Sequence, residues 1–173
     1  MDKTINIRGK KIIVDEDVYD VIFPMKNRIF IQGNGYAKIY VGSTNGVSKF
    51  EMLHRFILKA PENVDVDHIN LNKLDNRREN LRLATKSQNQ VNQPSRGGTS
   101  NYKGVFRYKS KTKSCGKIYI YEYWCAKLMK NGKCVFKQSF KNERDAALAY
   151  DEAAIEHYGE FAHLNFPQGE MRL

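Results

Sequence analysis

The segment QPSRGGTSN, residues 93 to 101, sets Pro94, Ser95, Gly97, Gly98 and Ser100 where any helical or strand period would have to continue. Proline and glycine at that density break regular structure, so neither side's pattern carries through the segment. In a chain of 173 residues each side is long enough for one small core and no more. No repeat at a fixed period and no low-complexity tract appears on either side, so the organisation expected is two different modules, 1–92 and 102–167, joined by a linker at 93–101.

Charge separates the chain further. The formal net charge is +10, which calls for an anionic partner. Residues 96 to 141 hold 12 Lys and Arg against the single acid Glu122, whereas residues 142 to 173 hold seven acids against Arg144 and Arg172. One surface is therefore basic and the segment after it is not. No stretch approaches the length of a membrane span, and the N-terminus lacks the basic-then-apolar order of a secretion signal. No membrane partner and a cytoplasmic location are expected. Cys115, Cys125 and Cys134 are an odd set without a C-x-x-C pair. Reduced, buried thiols are the expectation, and a disulfide framework or a structural zinc site is not.

In the first module, the runs IIV at 12–14, RIFIQ at 28–32 and YAKIYVG at 36–42 are β-rich and separated by turn residues such as Gly33-Asn34-Gly35. They read as an antiparallel sheet or a set of hairpins. The run from His54 to Leu58 fits either a helix or a strand, and Pro61 closes it. From residue 64 to 92 the order is sharper. Val64 and Val66 alternate with Asp65 and Asp67, an Asn- and Asp-rich loop follows, and Asn80-Leu81-Arg82-Leu83 resumes the strand period. Thr85 and Gln88 form a T-x-x-Q capping box, so a helix begins there with Asn89 in its first or second turn.

Strand, loop, strand and helix in that order bring Asp67, His68 and Asn89 together if the helix packs across the hairpin. A carboxylate and an amide oxygen beside an imidazole are the parts of metal-assisted hydrolysis, with Mg²⁺ or Mn²⁺ suited to the hard oxygens and neutral His68 able to deprotonate water. An Asp-His pair at a strand end and an Asn-rich loop are also ordinary turn chemistry, and the residues alone do not compel an active site.

The segment resembles the HNH endonuclease motif with its ββα-metal fold, and within it the homing-endonuclease branch in which the last His of the name is an Asn. The resemblance covers residues 36 to 92, with the motif itself at 54–92. It implies Asp67 and Asn89 as metal ligands, His68 as the general base, and Asn80 as the middle Asn that pins the loop and orients His68. The His54-Arg55 pair matches the dipeptide that commonly precedes the motif, and Asn76 also fits. His54 and Arg55 are read as structural or auxiliary, and Asn92 as helix surface or a DNA contact.

In the second module, residues 102–107, 119–128 and 133–140 are β-rich, Asn131-Gly132 makes a tight turn between the last two, and basic residues intersperse all three. Asn142 to Tyr158 reads as an amphipathic helix, capped by Asn142 with Asp145, lined inward by Ala146, Ala149, Tyr150, Ala153 and Ala154, and stopped by Gly159. Its acids, Glu143, Asp151, Glu152 and Glu156, would point away from DNA.

From Asn101 to Pro167 this module resembles the plant ethylene-response-factor, or Apetala-type, DNA-binding domain. The residues that carry the likeness are YKGV at 102–105, WCA at 124–126, DAALAYDEAA at 145–154 and AHLNFP at 162–167. It implies a three-stranded sheet backed by one helix, the sheet lying in the major groove. Carried over by position, contacts fall on Lys103, Phe106, Tyr108, Lys127, Met129, Cys134 and Phe136, with Arg107, Lys133 and Lys137 added for their charge. A longer first turn rich in Lys109, Lys111, Lys113 and Lys117 is expected to meet phosphates. His163 and Asn165 are expected to lock the C-terminal segment, and His157 to be exposed.

The expected fold is α+β, a ββα-metal module with preceding antiparallel strands linked to a three-stranded antiparallel sheet packed on one helix. The expected function is a site-specific homing-type HNH endonuclease of a phage or mobile element. It would act on double-stranded DNA in a bacterial or phage-infected cell, as a monomer that nicks one strand. The alternatives are a non-catalytic DNA-binding regulator and a restriction-type HNH nuclease.

Overall fold

The structure is a computed structural model and describes residues 1–167. It divides into two compact units, Met1–Asn89 and Gln90–Leu173. Among the described residues no helix is long and apolar enough to cross a membrane.

The first unit opens with an antiparallel hairpin of β1 (Asp2–Ile7) and β2 (Lys10–Asp15), turned by Arg8-Gly9 with both φ angles positive. Helix α1 (Glu16–Ile22) follows, with Val18 and Ile22 buried. A 3-10 turn leads to a second antiparallel sheet of order β3 (Ile29–Ile31), β4 (Ala37–Thr44), β5 (Val47–Met52). Asn45-Gly46 turns β4 into β5 with φ of 51° and 78°, the doubly left-handed turn whose twist suits a two-residue hairpin. The core gathers Ile5, Ile12, Val14, Ile22, Ile29, Ile39 and Leu53. Neither β1 nor α1 was expected. Alternation over so few residues gives little sequence signal for either, and their apolar positions acquire meaning only when both hairpins share one core.

Helix α2 (Leu53–Leu58) resolves the ambiguous run, ending at Lys59 in the left-handed conformation with φ 49°. The second hairpin of interest is β6 (Asp65–His68) with β7 (Leu81–Ala84), after which α3 (Lys86–Val91) begins. The capping box forms as its spacing predicts. The Thr85 amide donates to Gln88 Oε1 at 2.8 Å, and the Gln88 amide to Thr85 Oγ1 at 3.2 Å. Two of the otherwise orphaned donors at the helix start are thereby satisfied.

The second unit is built on a three-stranded antiparallel sheet of order β10 (Lys133–Phe140), β9 (Lys117–Lys130), β8 (Val105–Ser114), with α4 (Glu143–Tyr158) packed on one face. Asn142 caps α4 by accepting from the Asp145 amide at 2.8 Å, and Gly159 ends it with φ 54°. The helix buries Ala146, Ala147, Tyr150, Ala153 and Ala154 against Val105, Ala126 and Leu128. Small side chains let helix and sheet approach closely, which is what packing at interior density requires.

Three expectations, for Asp151, the cysteines and His157, are not met by the structure. Asp151 does not share the outward direction expected for it with Glu152 and Glu156, which are exposed. It is fully buried and accepts from the amides of Asn165 and Phe166, both at 2.9 Å, and from Asn165 Nδ2 at 3.0 Å. The same Asn165 accepts from the Lys103 amide at 2.6 Å, so the segment after α4 is tied to the start of the sheet. Cys115 and Cys134 are exposed and only Cys125 is buried. His157 is half-buried on α4, its carbonyl accepting from Lys130 Nζ at 2.6 Å.

Gly104 sits at φ +72°, and a Cβ built there would lie 2.0 Å from the Tyr150 ring. Left-handed strain and overpacking act together at this position. Gly104→Ala is expected to cost about 2–4 kcal/mol and to lower the midpoint of the second unit's thermal transition by roughly 10–20 °C in calorimetry. A wild-type midpoint would contradict this packing.

Candidate active site

The β6–β7 pair sets Asp67 opposite Arg82 and His68 opposite Leu81. Residues 69 to 80 form the connection, and Asn80, buried at its end, closes it. Asn80 Oδ1 accepts from the Asn70 amide at 2.9 Å, Asn80 Nδ2 donates to the Asp75 carbonyl at 2.8 Å, and the Asn80 carbonyl accepts from the Ile69 amide at 2.9 Å. A side-chain amide offers a donor and an acceptor on separate atoms, so one residue spans the loop where an ionised carboxylate, which only accepts, would leave the Asp75 carbonyl unmatched.

The loop is stiffened by its own acids and amides. Asp75, buried, accepts from Arg77 Nε at 2.8 Å, Arg77 Nη2 at 2.7 Å and Asn70 Nδ2 at 2.8 Å. The Arg77 guanidinium holds the Asp75 carboxyl below the usual carboxylate range, against the opposing effect of burial. The loop also docks on β2 through backbone bonds. The Ile13 amide donates to the Leu74 carbonyl and the Asn76 amide to the Ile13 carbonyl, both at 2.8 Å.

Asp67 and His68 end β6 in a buried setting, with Asp67 2% exposed. The Asp67 Oδ2 accepts from Arg82 Nε at 3.0 Å and pairs with Arg82 Nη2 at 2.9 Å, which fixes the carboxylate's orientation. The His68 ring meets His54 edge-on with centroids 5.1 Å apart, and Tyr36 lies 5.4 Å from His54 and 5.8 Å from His68. Burial lowers the pKa of His68, while the Asn76 side chain and the charges of Asp67 and Asp75 act in the opposite sense. The imidazole is thus neutral at pH 7 and able to accept a proton. Burial, with help from His68 and Arg55, pushes His54 down to about 4. Its Nδ1 is buried without a hydrogen-bond partner among the described residues.

Arg55 takes no part in that ring cluster. Its guanidinium donates to the carbonyls of Val64 at 2.5 Å, Pro61 at 2.6 Å and Ala60 at 3.3 Å, bracing the chain that leads into β6. Asn89 is half-buried in α3, its amide donating to the Thr85 carbonyl at 2.9 Å. The carboxylate of Asp67 and the amide oxygen of Asn89 are hard donors that suit a small divalent cation. Among the described residues no group of three or more His, Cys, Asp and Glu is arranged to hold a metal. Three contributors went unread in the sequence: Tyr36, Arg82 and the Asp75–Arg77 pair. Arg82 is legible only once the strand register is known, whereas the D-x-R spacing of Asp75 and Arg77 was visible as a local ion-pair signal.

In the second unit the expected contact residues fall on different faces. Tyr108, Lys127, Met129, Cys134 and Lys137 lie on the side of the sheet away from α4, as strand alternation from the buried Ala126 and Leu128 requires. Phe136 instead packs half-buried against the core. Arg107 lies on that second side too, paired with Glu122 at 2.5 Å and with its guanidinium 5.8 Å from the Trp124 ring centre. Lys133 is exposed beside the Asn131-Gly132 turn. Lys103 is half-buried: its ammonium donates to the carbonyls of Val91 and Gln93, and burial brings its pKa to about 8.

Residues 59–91, which contain the whole β6–loop–β7–α3 segment, match the family described as HNH endonuclease. The chain is similar to an uncharacterized HNH endonuclease of Acanthamoeba polyphaga mimivirus, with 34% identity over 138 residues, covering 74% of this chain and 66% of the relative. The chain therefore spans just under two thirds of that relative's length. No solved structure matches the chain.

The depressed pKa of His54 has a consequence for stability. Unfolding frees a group that binds a proton at about 6.5, whereas the folded group binds one at about 4. The unfolded state takes up the extra proton between those values, so stability is complete above pH 6.5 and falls as pH drops towards 4. The loss approaches about 3 kcal/mol across that window. Urea melts at stepped pH are expected to show it, and His54→Phe is expected to flatten the slope. An unchanged slope in the variant would remove His54 as its source.

Proposed function

We propose that this chain is a divalent-metal-dependent HNH endonuclease that hydrolyses a phosphodiester of double-stranded DNA. The observation that carries the reading is the buried Asp67-His68 end of β6, followed by a loop that Asn80 closes onto Ile69 and Asn70, within the segment 59–91 that matches the HNH endonuclease family. His68, kept neutral by burial, takes the proton of the attacking water. Asn80 holds the loop against which His68 sits, and the Tyr36 and His54 rings limit how far the imidazole can turn. Asp67, oriented by Arg82, and Asn89 are the ligands of Mg²⁺ or Mn²⁺. A divalent cation bound there supplies positive charge to the scissile phosphate and the leaving oxygen.

In this reading residues 1–92 cut and residues 102–167 bind, joined through 93–101. The binding surface is the side of the sheet carrying Tyr108, Lys127 and Lys137, with Lys133 at its turn. Lys103 and Phe136 support that surface from within. The likeness to the ethylene-response-factor fold rests on the YKGV, WCA and AHLNFP segments and on the sheet-plus-helix build of the second unit. One site cleaves one strand, so a monomer nicks. Recognition by a separate module suits a homing-type enzyme of a phage or mobile element.

The test is cleavage of supercoiled plasmid and source genomic DNA, with Mg²⁺ or EDTA. Wild type is expected to give nicked circles only with the metal. His68→Ala is expected to lose at least about a hundredfold in rate while binding DNA as before. Cutting at the wild-type rate by His68→Ala, or undiminished cutting in EDTA, would reject the assignment.

A further inference from the structure

Strands β8 and β9 pair over ten positions, from Val105 opposite Ala126 to Ser114 opposite Lys117. The third strand stops earlier, its last partner on β9 being Trp124. Seven residue pairs, Tyr108 with Tyr123 through Ser114 with Lys117, therefore stand clear of β10 as a two-stranded ribbon about 24 Å long. Cys115 and Gly116 close it with φ of 48° and 75°, a turn whose twist keeps the two strands paired to the tip.

A lone ribbon of this kind is marginal in water unless something covers a face. Here Ile118 is 67% exposed, Ile120 58%, Tyr121 46% and Tyr119 44%. Alternation gives the ribbon two unlike sides. Lys109, Lys111, Lys113, Ile118 and Ile120 share one, while Ser110, Thr112, Tyr119 and Tyr121 share the other, with Tyr121 and Tyr123 stacked at 6.4 Å. The ribbon's single acid, Glu122, is neutralised at its base by Arg107 and Lys109. Lys111, Lys113 and Lys117 form no ion pair among the described residues.

We propose that this ribbon is an arm that enters the major groove of duplex DNA and extends the contact beyond the three-stranded sheet. The inference rests on the reading of the chain as a DNA-cutting protein. A major groove about 12 Å wide admits a two-stranded ribbon. Three unpaired lysines on flexible stems reach the phosphates that wall the groove. The hydroxyls of Ser110, Thr112, Tyr119 and Tyr121 face the base edges, where they can both donate and accept. Duplex DNA answers the ribbon's charge and its hydroxyl side: the polyanion matches Lys111 and Lys113 on one side and Lys117 on the other, and base surfaces cover the exposed Tyr119 and Tyr121 rings.

The test uses the full chain in EDTA, so that binding is read without cutting, and a mixed-sequence duplex as the probe. The triple variant Lys111→Gln, Lys113→Gln, Lys117→Gln is expected to flatten the slope of log affinity against log salt by about 2 to 3, close to 0.9 for each phosphate no longer neutralised. The double variant Tyr119→Ser, Tyr121→Ser is expected to keep the wild-type slope and to bind roughly tenfold more weakly. Both are expected to keep the wild-type circular dichroism spectrum, because the substituted positions are exposed. A triple variant with the wild-type salt slope would overturn the arm. So would a wild-type dimer, seen in sedimentation, that Ile118→Ser with Ile120→Ser dissociates, since the ribbon would then be a self-interface. Plasmid cutting by wild type in Mg²⁺ separates the two ideas. No cutting with a flattened slope in the triple variant rejects the nuclease and keeps the arm; cutting with an unchanged slope does the reverse.

Discussion

Closure of the 69–80 loop by Asn80 is the constraint on which the first unit's site depends. Three bonds converge on one residue, two from its side chain and one from its carbonyl, and they span the loop from Asn70 to Asp75. With both termini of the loop fixed, His68 and Leu81 stay opposite one another, and the register carries Asp67 to Arg82. A slip of one residue would turn Asp67 and His68 to the other face, so register and chemistry are the same constraint at this place. The docking of Leu74 and Asn76 on Ile13 then connects the loop to the apolar core beneath β2.

The second unit rests on a different device, a buried carboxylate that organises backbone. Asp151 is desolvated, and burial pushes its pKa up even though three N–H groups from Asn165 and Phe166 favour its charged form. A buried acid without those donors would be a liability; with them it fixes the chain after α4 against the helix. Asn165 passes the restraint to Lys103, and Gly104 lets the Tyr150 ring lie directly on the first strand. The basic residues of the sheet are thereby carried on a rigid support, while the ribbon beyond Trp124 is left unsupported.

Much of this was legible locally. The T-x-x-Q box at Thr85, the Asn142 cap and the Asn131-Gly132 turn each follow from chemistry that acts within a few residues and form as their spacing predicts, and the alanine stripe of α4 does so at Ala146, Ala153 and Ala154, with Ala147 buried where Ala149 was expected. The strand–loop–strand–helix order around Asp67 and His68 was equally readable, because alternation and capping signals fall in sequence. Short elements without a local signal were not: β1 and α1 went unread, and the run at His54 declared itself a helix only in the fold.

By itself the sequence determined which chemistry is present, a carboxylate, an imidazole and several amides in one short stretch, and a concentration of positive charge in another. It also determined where chain direction must reverse, since turn and cap preferences are properties of a few neighbouring residues. Tertiary structure alone decided which of those groups meet and which are withdrawn from water. It put Tyr36 and His54 beside His68, set Arg82 against Asp67, buried Asp151, and turned Lys103 onto the carbonyls of Val91 and Gln93. Such contacts join residues distant in sequence, and burial and the pKa changes it causes depend on everything packed around a group, which no short window of sequence contains.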